Sequence, residues 1–372
     1  MKCDVLVVGA GPSGAMAAKT AAEKGSDVVM IDRKHHIGSP VRCGEGINKF
    51  LFNDTGISKK KSFIEREITD TKIYFYDEVY SLQSELWQGY TVDRTIFDEH
   101  LACRAAEEGA LLLRNTKATG LKRKGGKWLV TLNSQENLAE IEADIVIGAD
   151  GFACNVGRWA GITNKWQPHE FCKCIEYLIE CSNLNQKNTF HIAFGEEFPS
   201  GYGWIFPKQQ TANVGVSVAP YANTKEALHF FLKHYPIASS LLGDNISIIE
   251  KRGGCYPATG PRSPDKIVGD GVMLVGDAAG MVEPISGEGI APSMISGIAA
   301  GETAAKAIKN GKYGKKNLSA YPDSCMQKQY MGMTLGENME ALKKLYEPFV
   351  HAFSEKDVDR TMRGKMIAHL EP

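Results

Sequence analysis

The chain has 372 residues, and its 43 basic and 44 acidic side chains leave a net charge of −1. Interspersed charges with no basic stripe argue against a nucleic-acid-binding protein, and no apolar run of about eighteen residues is present to span a bilayer. The length supports two closely joined domains, and nine scattered cysteines, an odd number, read as reduced cytosolic thiols rather than a disulfide framework.

The chain enters a buried strand at once, Asp4-Val-Leu-Val-Val-Gly9, which leaves no room for a signal peptide in this reading. Gly9-Ala-Gly11-Pro-Ser13-Gly14 follows, then an alanine-rich helix over Ala15–Lys24 closed by Gly25, then a second strand, Asp27–Ile31, ending at Asp32. The order of strand, glycine turn, helix, strand and terminal acid turns a weak fingerprint into a strong one for a dinucleotide. Gly9 permits the tight turn, Gly11 lets a pyrophosphate approach the backbone, and Gly14 lets helix and strand pack closely. The helix N-terminus faces the phosphates, and Asp32 accepts ribose hydroxyls.

Ser39-Pro-Val-Arg42-Cys43-Gly44-Glu45-Gly46 is a glycine-rich loop that brings a thiol and a carboxylate close to backbone. Alternation predicts strand over Lys72–Leu82. Tyr90–Asp98 leads into a helix over Phe97–Glu108, and Asp144–Gly151 is another buried strand ending in an acid. Cys172 and Cys174, with Cys181 nearby, sit in an alternating strand over Phe171–Glu180 without a partner pair at zinc spacing, so no metal site is expected. Strands with Gly and Pro breaks fill Asn188–Ala219. Within them Tyr202, Trp204 and Phe206 alternate on one face, forming an aromatic wall suited to an isoprenoid chain.

A second half-site lies far downstream. The strand Val272–Val275 runs into Gly276-Asp277, and Gly287-Glu288-Gly289 opens a small-residue helix from about Glu288. Asp277 can hold ribityl hydroxyls, and the turn aims free N–H groups at a ring edge or phosphate. A cofactor gripped by both halves is extended, so FAD fits better than NAD, and a second glycine fingerprint is lacking. The cofactor segments 1–50, 90–160 and 250–310 therefore form one discontinuous FAD-binding domain. Segments 51–89 and 161–249 form the substrate domain, and 311–372 a helical tail. In that tail Tyr330–His351 carries Met333, Leu335, Met339, Leu342, Leu345, Tyr346 and Phe349 at helical spacing, for core packing or a short lipid-facing surface.

These motifs together resemble the geranylgeranyl reductase family of flavoproteins, above all its archaeal digeranylgeranylglycerophospholipid reductases, over nearly the whole chain. Ser39–Gly46 matches the family's stretch beside the flavin, and Pro199–Lys208 its aromatic substrate strand. The resemblance implies an α/β fold: a Rossmann-like FAD domain of the para-hydroxybenzoate hydroxylase type, with an inserted antiparallel β-rich substrate domain and a short helical C-terminus. It also implies cofactor contacts at Ser13, Asp32, Cys43, Gly44, Gly46, Arg94, Ala118, Asp277, Gly289 and Ile290. Ala118 lies in the strand Thr116–Gly120, whose backbone would meet the adenine edge. Two departures stand out. Asp32 replaces the family's longer Glu, and the tail is shorter than in relatives where it helps enclose the lipid.

The implied reaction is reduction of isolated C=C bonds in geranylgeranyl chains of a membrane-lipid precursor, by hydride from N5 of reduced FAD plus a proton. Cys43, Glu45, Tyr202 and an ordered water are the proton-donor candidates, with Cys43 placed first; Tyr202, Trp204 and Phe206 shield positive character on the alkene. The implied setting is cytoplasmic with peripheral membrane contact, and the electron donor is ferredoxin, a deazaflavin or NAD(P)H. Reduction of a chlorophyll or quinone side chain, an FAD-dependent hydroxylase and an electron-transfer flavoprotein remain the alternatives.

Overall fold

Five parallel strands form the centre of the larger sheet in the computed structural model, which describes residues 1–134, 139–180, 188–243 and 246–370. In spatial order they are Val272–Leu274, Glu140–Gly148, Lys2–Val8, Val28–Ile31 and Leu111–Leu113. Strand Val268–Gly269 adds one antiparallel edge, and the antiparallel pair Lys127–Ser134 and Thr116–Lys124 branches from Glu140–Gly148. The central strands are near-continuous Val, Ile and Leu because helices cover both faces. Helices Pro12–Glu23 and Ile290–Lys309 pack against each other along small residues. A Cβ on Gly297 would lie 2.1 Å from the Ser13 carbonyl oxygen, and one on Gly301 would lie 2.6 Å from that of Ala17. The close crossing is why the second helix reads as Ala, Gly and Ser.

The smaller sheet has seven strands, ordered Ile248–Pro257, Phe171–Glu180, Thr211–Val218, Gly203–Pro207, Thr189–Phe194, Asp70–Phe75 and Glu78–Leu82. All its pairings are antiparallel except that of Thr189–Phe194 with Asp70–Phe75. The edge strand Ile248–Pro257 spans the expected boundary at residue 250 and pairs with Phe171–Ile179, with one register shift between Leu178 and Ile179. The expected span Lys72–Leu82 is a hairpin of two strands. A three-stranded sheet of Gly46–Asn48, Gly89–Val92 and Ile64–Ile68 lies between the two larger ones in sequence.

Strand alternation gives the seven-stranded sheet two apolar faces. Tyr74, Ala193, Ile205, Val214 and Val216 face Phe231 and Tyr235 of the helical stretch 224–242. Ile73, Phe75 and Phe194 face the other way, against Phe349 and Phe353 of helix Leu335–Ser354 and Ile367 of helix Arg360–Ala368. The predicted helix over Tyr330–His351 thus begins late. Gln329–Thr334 is a two-stranded hairpin, turned by Met331 at φ 52° and Gly332 at φ 84°, and the helix starts at Leu335 behind a Thr334–Glu337 capping box. Tyr330 and Met333 therefore lie off the helical stripe. No helix among the described residues is long and apolar enough to cross a membrane.

Candidate active site

A cavity of about 570 Å³ runs between the two sheets. One end is the turn Gly11–Ser13, one side the loop Arg42–Gly46, the far wall the loop Glu283–Ile290, and the floor Tyr202, Trp204 and Phe206. Of the predicted cofactor residues, Gly11, Ser13, Cys43, Gly44, Gly46, Arg94, Asp277, Gly289 and Ile290 line it, whereas Gly9, Gly14, Asp32 and Ala118 lie outside its wall. Trp204 and Phe206 share the cavity face of their strand while Ile205 between them enters the opposite core, as the two-residue period requires. Apolar groups continue beyond them: Leu86, Trp87, Ile285, Leu342, Leu345 and Leu370. The C-terminal helices reach this end, with Trp87 Nε1 donating to the Leu370 carbonyl at 2.9 Å.

The site's fit to an FAD rests on local geometry. Gly9 adopts φ +107°, and a Cβ on Gly14 would lie 1.9 Å from the Gly9 carbonyl oxygen, so both must be glycine for the turn to close. A Cβ on Gly11 meets nothing within 4 Å, which leaves open space above the uncapped start of helix Pro12–Glu23. Asp32 accepts the Ala10 N–H and the Lys34 N–H, each at 2.8 Å, so its carboxylate is aimed at the turn with further lone pairs to offer. The strand bearing Ala118 begins with Thr116, whose N–H donates to the Asp32 carbonyl at 2.8 Å. At the other end, Gly289 caps the helix Ile290–Lys309 with no side chain over its free N–H groups. Asp277 is enclosed, and burial pushes its carboxyl up to about 6 against the pull of Arg94. Trp204 Nε1 is buried without a hydrogen-bond partner. These features suit a long cofactor with phosphates, hydroxyls and a polar ring edge.

Glu45, one of the expected proton-donor candidates, is ringed by donors. It occupies left-handed backbone at φ 64° and is 1 % exposed. Its Oε2 accepts from Lys208 Nζ at 2.8 Å, Asn213 Nδ2 at 2.7 Å and Arg252 Nη1 at 2.9 Å, and its Oε1 accepts the Arg94 N–H at 3.0 Å. Burial raises this carboxyl, but Lys208, the Arg94 N–H and Arg252 outweigh it and hold it below the ordinary range. Its ion pairs tie the loop to the seven-stranded sheet. Tyr202 is also constrained: its hydroxyl donates to the Ser286 carbonyl, and burial pushes its pKa far up. Cys43 keeps a neutral thiol because burial outweighs the pull of Arg94, and its sulfur accepts the Glu45 N–H at 3.2 Å. Arg94 is locked on Asp98 by two bonds of 2.7 and 2.8 Å.

Several polar groups at the site were not singled out in the sequence. Glu176 lies under the loop, accepts the Cys43 N–H at 3.2 Å, and is pushed by burial to about 7. Lys208, just past the strand Gly203–Pro207, and Arg252, within the strand Ile248–Pro257, reach Glu45 from separate segments. Glu283, Glu288 and Asn48 meet on the far wall, backed by Tyr330. The available signal was an acid or base inside an otherwise apolar strand or a glycine-rich loop. Among the described residues no group of three or more His, Cys, Asp or Glu is placed to hold a metal, and Cys181 lies outside them.

A Rossmann-like sheet, an extended cleft and a second glycine loop define a flavoprotein of the oxidoreductase class. The FAD binding domain family matches residues 2–329, and its cofactor is FAD. A digeranylgeranylglycerophospholipid reductase of Methanothrix thermoacetophila is 35 % identical over 100 % of this chain and 97 % of its own. That of Methanocaldococcus jannaschii is 38 % identical over 88 % of this chain and 83 % of its own. A geranylgeranyl bacteriochlorophyll reductase-like structure from Thermoplasma acidophilum superposes with a TM-score of 0.81 at 31 % identity, over 99 % of this chain and 96 % of that one. A flavin-dependent brominase, TM-score 0.76 at 18 % identity, shares the fold alone. The chain belongs to the digeranylgeranylglycerophospholipid reductase family of FAD-dependent oxidoreductases.

Proposed function

We propose that this protein reduces isolated C=C bonds in the geranylgeranyl chains of a membrane-lipid precursor. The observation that carries the reading is the shared cavity: an aromatic wall and an apolar extension open into the same space as the two glycine loops. In this reading Gly9, Gly11, Ser13 and Gly14 hold the pyrophosphate, Asp32 the ribose and the Ala118 backbone the adenine edge. Arg94 and Asp277 face the ribityl chain, and Cys43, Gly44, Gly46, Gly289 and Ile290 flank the ring. Reduced FAD, when bound, supplies the hydride.

The chain's own residues do the rest. An unconjugated alkene has no carbonyl to take up charge, so its carbon must receive a proton as positive character develops. Tyr202, Trp204 and Phe206 offer π faces to that charge, and Leu342, Leu345 and Ile285 exclude water from the prenyl chain. The lipid enters by peripheral contact with a bilayer, and an external reductant (ferredoxin, a deazaflavin or NAD(P)H) supplies the electrons.

The test is anaerobic. The yellow protein is reduced with dithionite and offered a geranylgeranyl glycerol phospholipid, and product mass is followed. Gains of two mass units per step with reoxidation of the cofactor are expected. Reoxidation only after oxygen is admitted, with an oxygen atom in the product, overturns the reading in favour of a hydroxylase.

A further inference from the structure

The reductase reading needs an acid, and the far wall of the cavity carries one. Glu283 and Glu288 flank a turn whose N–H and C=O groups tie them together: the Glu283 N–H donates to the Glu288 carbonyl at 2.9 Å. Glu283 is 5 % exposed and accepts from the Tyr330 hydroxyl at 2.8 Å and from the Ser286 hydroxyl. Glu288 opens onto the cavity, where its Oε1 accepts from Asn48 Nδ2 at 2.6 Å. Among the described residues neither carboxyl forms an ion pair. The titratable groups facing the pair are Tyr330, Tyr202 and, behind Tyr330, Asp54. The nearby Lys328 is turned to Glu302 at 2.7 Å.

Two neighbouring carboxyls with no cation do not both ionise near neutrality. Burial raises both carboxyls, and both accept hydrogen bonds. Glu283 takes hydroxyl donors from Tyr330 and Ser286, while Glu288 takes the Asn48 amide and in addition feels the Glu283 charge. The proton is therefore placed on Glu288, which is pushed well above the ordinary carboxylate range. The side-chain donors named from the sequence fare worse: Glu45 is held as an anion, the Tyr202 proton is engaged on the Ser286 carbonyl, and burial makes the Cys43 thiol a still weaker acid.

We propose that Glu288 is the acid that protonates the alkene, with Glu283 and Tyr330 as positioning residues that keep the proton on it; this rests on the reductase reading above. The π pair of the C=C bond takes the Glu288 proton, so an O–H bond breaks, a C–H bond forms and a carboxylate remains. The neighbouring carbon takes hydride, with its two electrons, from the reduced cofactor. Glu288 then recovers a proton from solvent.

The test compares wild type with Glu288→Gln and Glu283→Gln. In Glu288→Gln we expect normal cofactor absorbance, an anaerobic single-turnover rate at least about 100-fold lower, and loss of a protonated-carboxyl infrared band that wild type shows at neutral pH without substrate. In wild type the rate holds through neutrality and falls on its alkaline side as Glu288 ionises. In Glu283→Gln, without the neighbouring charge, that fall moves to lower pH, and this second variant decides the question if the first does not fold. A Glu288→Gln protein with wild-type rate and an unchanged infrared band, or an unmoved pH profile in Glu283→Gln, overturns the donor role alone. A wild type that no prenyl alkene reoxidises overturns the reductase reading and the donor role together, while the infrared band still reports where the proton sits.

Discussion

At the scale of single residues, Glu45 is the clearest case of an interaction that only packing assembles. Its four donors come from loop, helix and two strands, and its left-handed backbone persists because they hold it there. Lys208→Met removes one of two cations on this buried anion and leaves Arg252 and Asn213 on the same oxygen, so it is expected to cost about 2 kcal/mol in urea unfolding at neutral pH. The sign of its pH dependence follows from the depressed folded pKa. The Glu45 contribution is present above the unfolded value of about 4.3 and is lost as pH falls through the folded one, so the gap between wild type and variant narrows on acidification. A variant with an unchanged urea midpoint would show that the pairs add nothing. Gly11 separates folding from binding. Its backbone, φ −68° and ψ −178°, accepts any residue, and a Cβ there meets no protein atom. Gly11→Ala should keep the wild-type melting temperature yet purify colourless, because the methyl occupies the approach to the phosphates. A yellow Gly11→Ala protein would move the pyrophosphate elsewhere.

At the scale of elements, the glycine fingerprint and the downstream small-residue helix are parts of one contact. The helices Pro12–Glu23 and Ile290–Lys309 are separated by almost 270 residues in sequence yet cross closely enough that Gly297 touches the Ser13 backbone. Gly297→Ala is expected to destabilise by about 3 kcal/mol or more, since its Cβ would meet backbone that cannot yield. Gly364→Ala, with nothing within 4 Å in the helix Arg360–Ala368, should be neutral or stabilising by up to about 1 kcal/mol. Equal melting temperatures for the two variants would refute the close crossing. The two half-sites were legible because short-range rules govern them: a glycine for each tight turn, an acid at each strand end, a run of β-branched residues for each buried strand. The hairpin Gln329–Thr334 was not. Tyr330 and Met333 fall at helical spacing, and only left-handed backbone at Met331 and Gly332 breaks the register.

At the scale of the whole molecule, the cavity exists because the parallel sheet, the mixed sheet and the terminal helices meet along one line. The aromatic alternation of Tyr202, Trp204 and Phe206 announced a wall, and the family resemblance announced what lies against it, but neither placed Leu342, Leu345 and Leu370 opposite. Patterns with a period of two or 3.6 residues, and the few residue types that tolerate a turn or end a strand beside a phosphate, are written locally. They carried the fold class, the cofactor and the family. Proton chemistry depends on burial and on charges brought together from distant segments: Glu45 with Lys208 and Arg252, Glu283 with Glu288 and Tyr330. A carboxyl's pKa follows from the dielectric and the charges around it, and those are set only when the chain has packed.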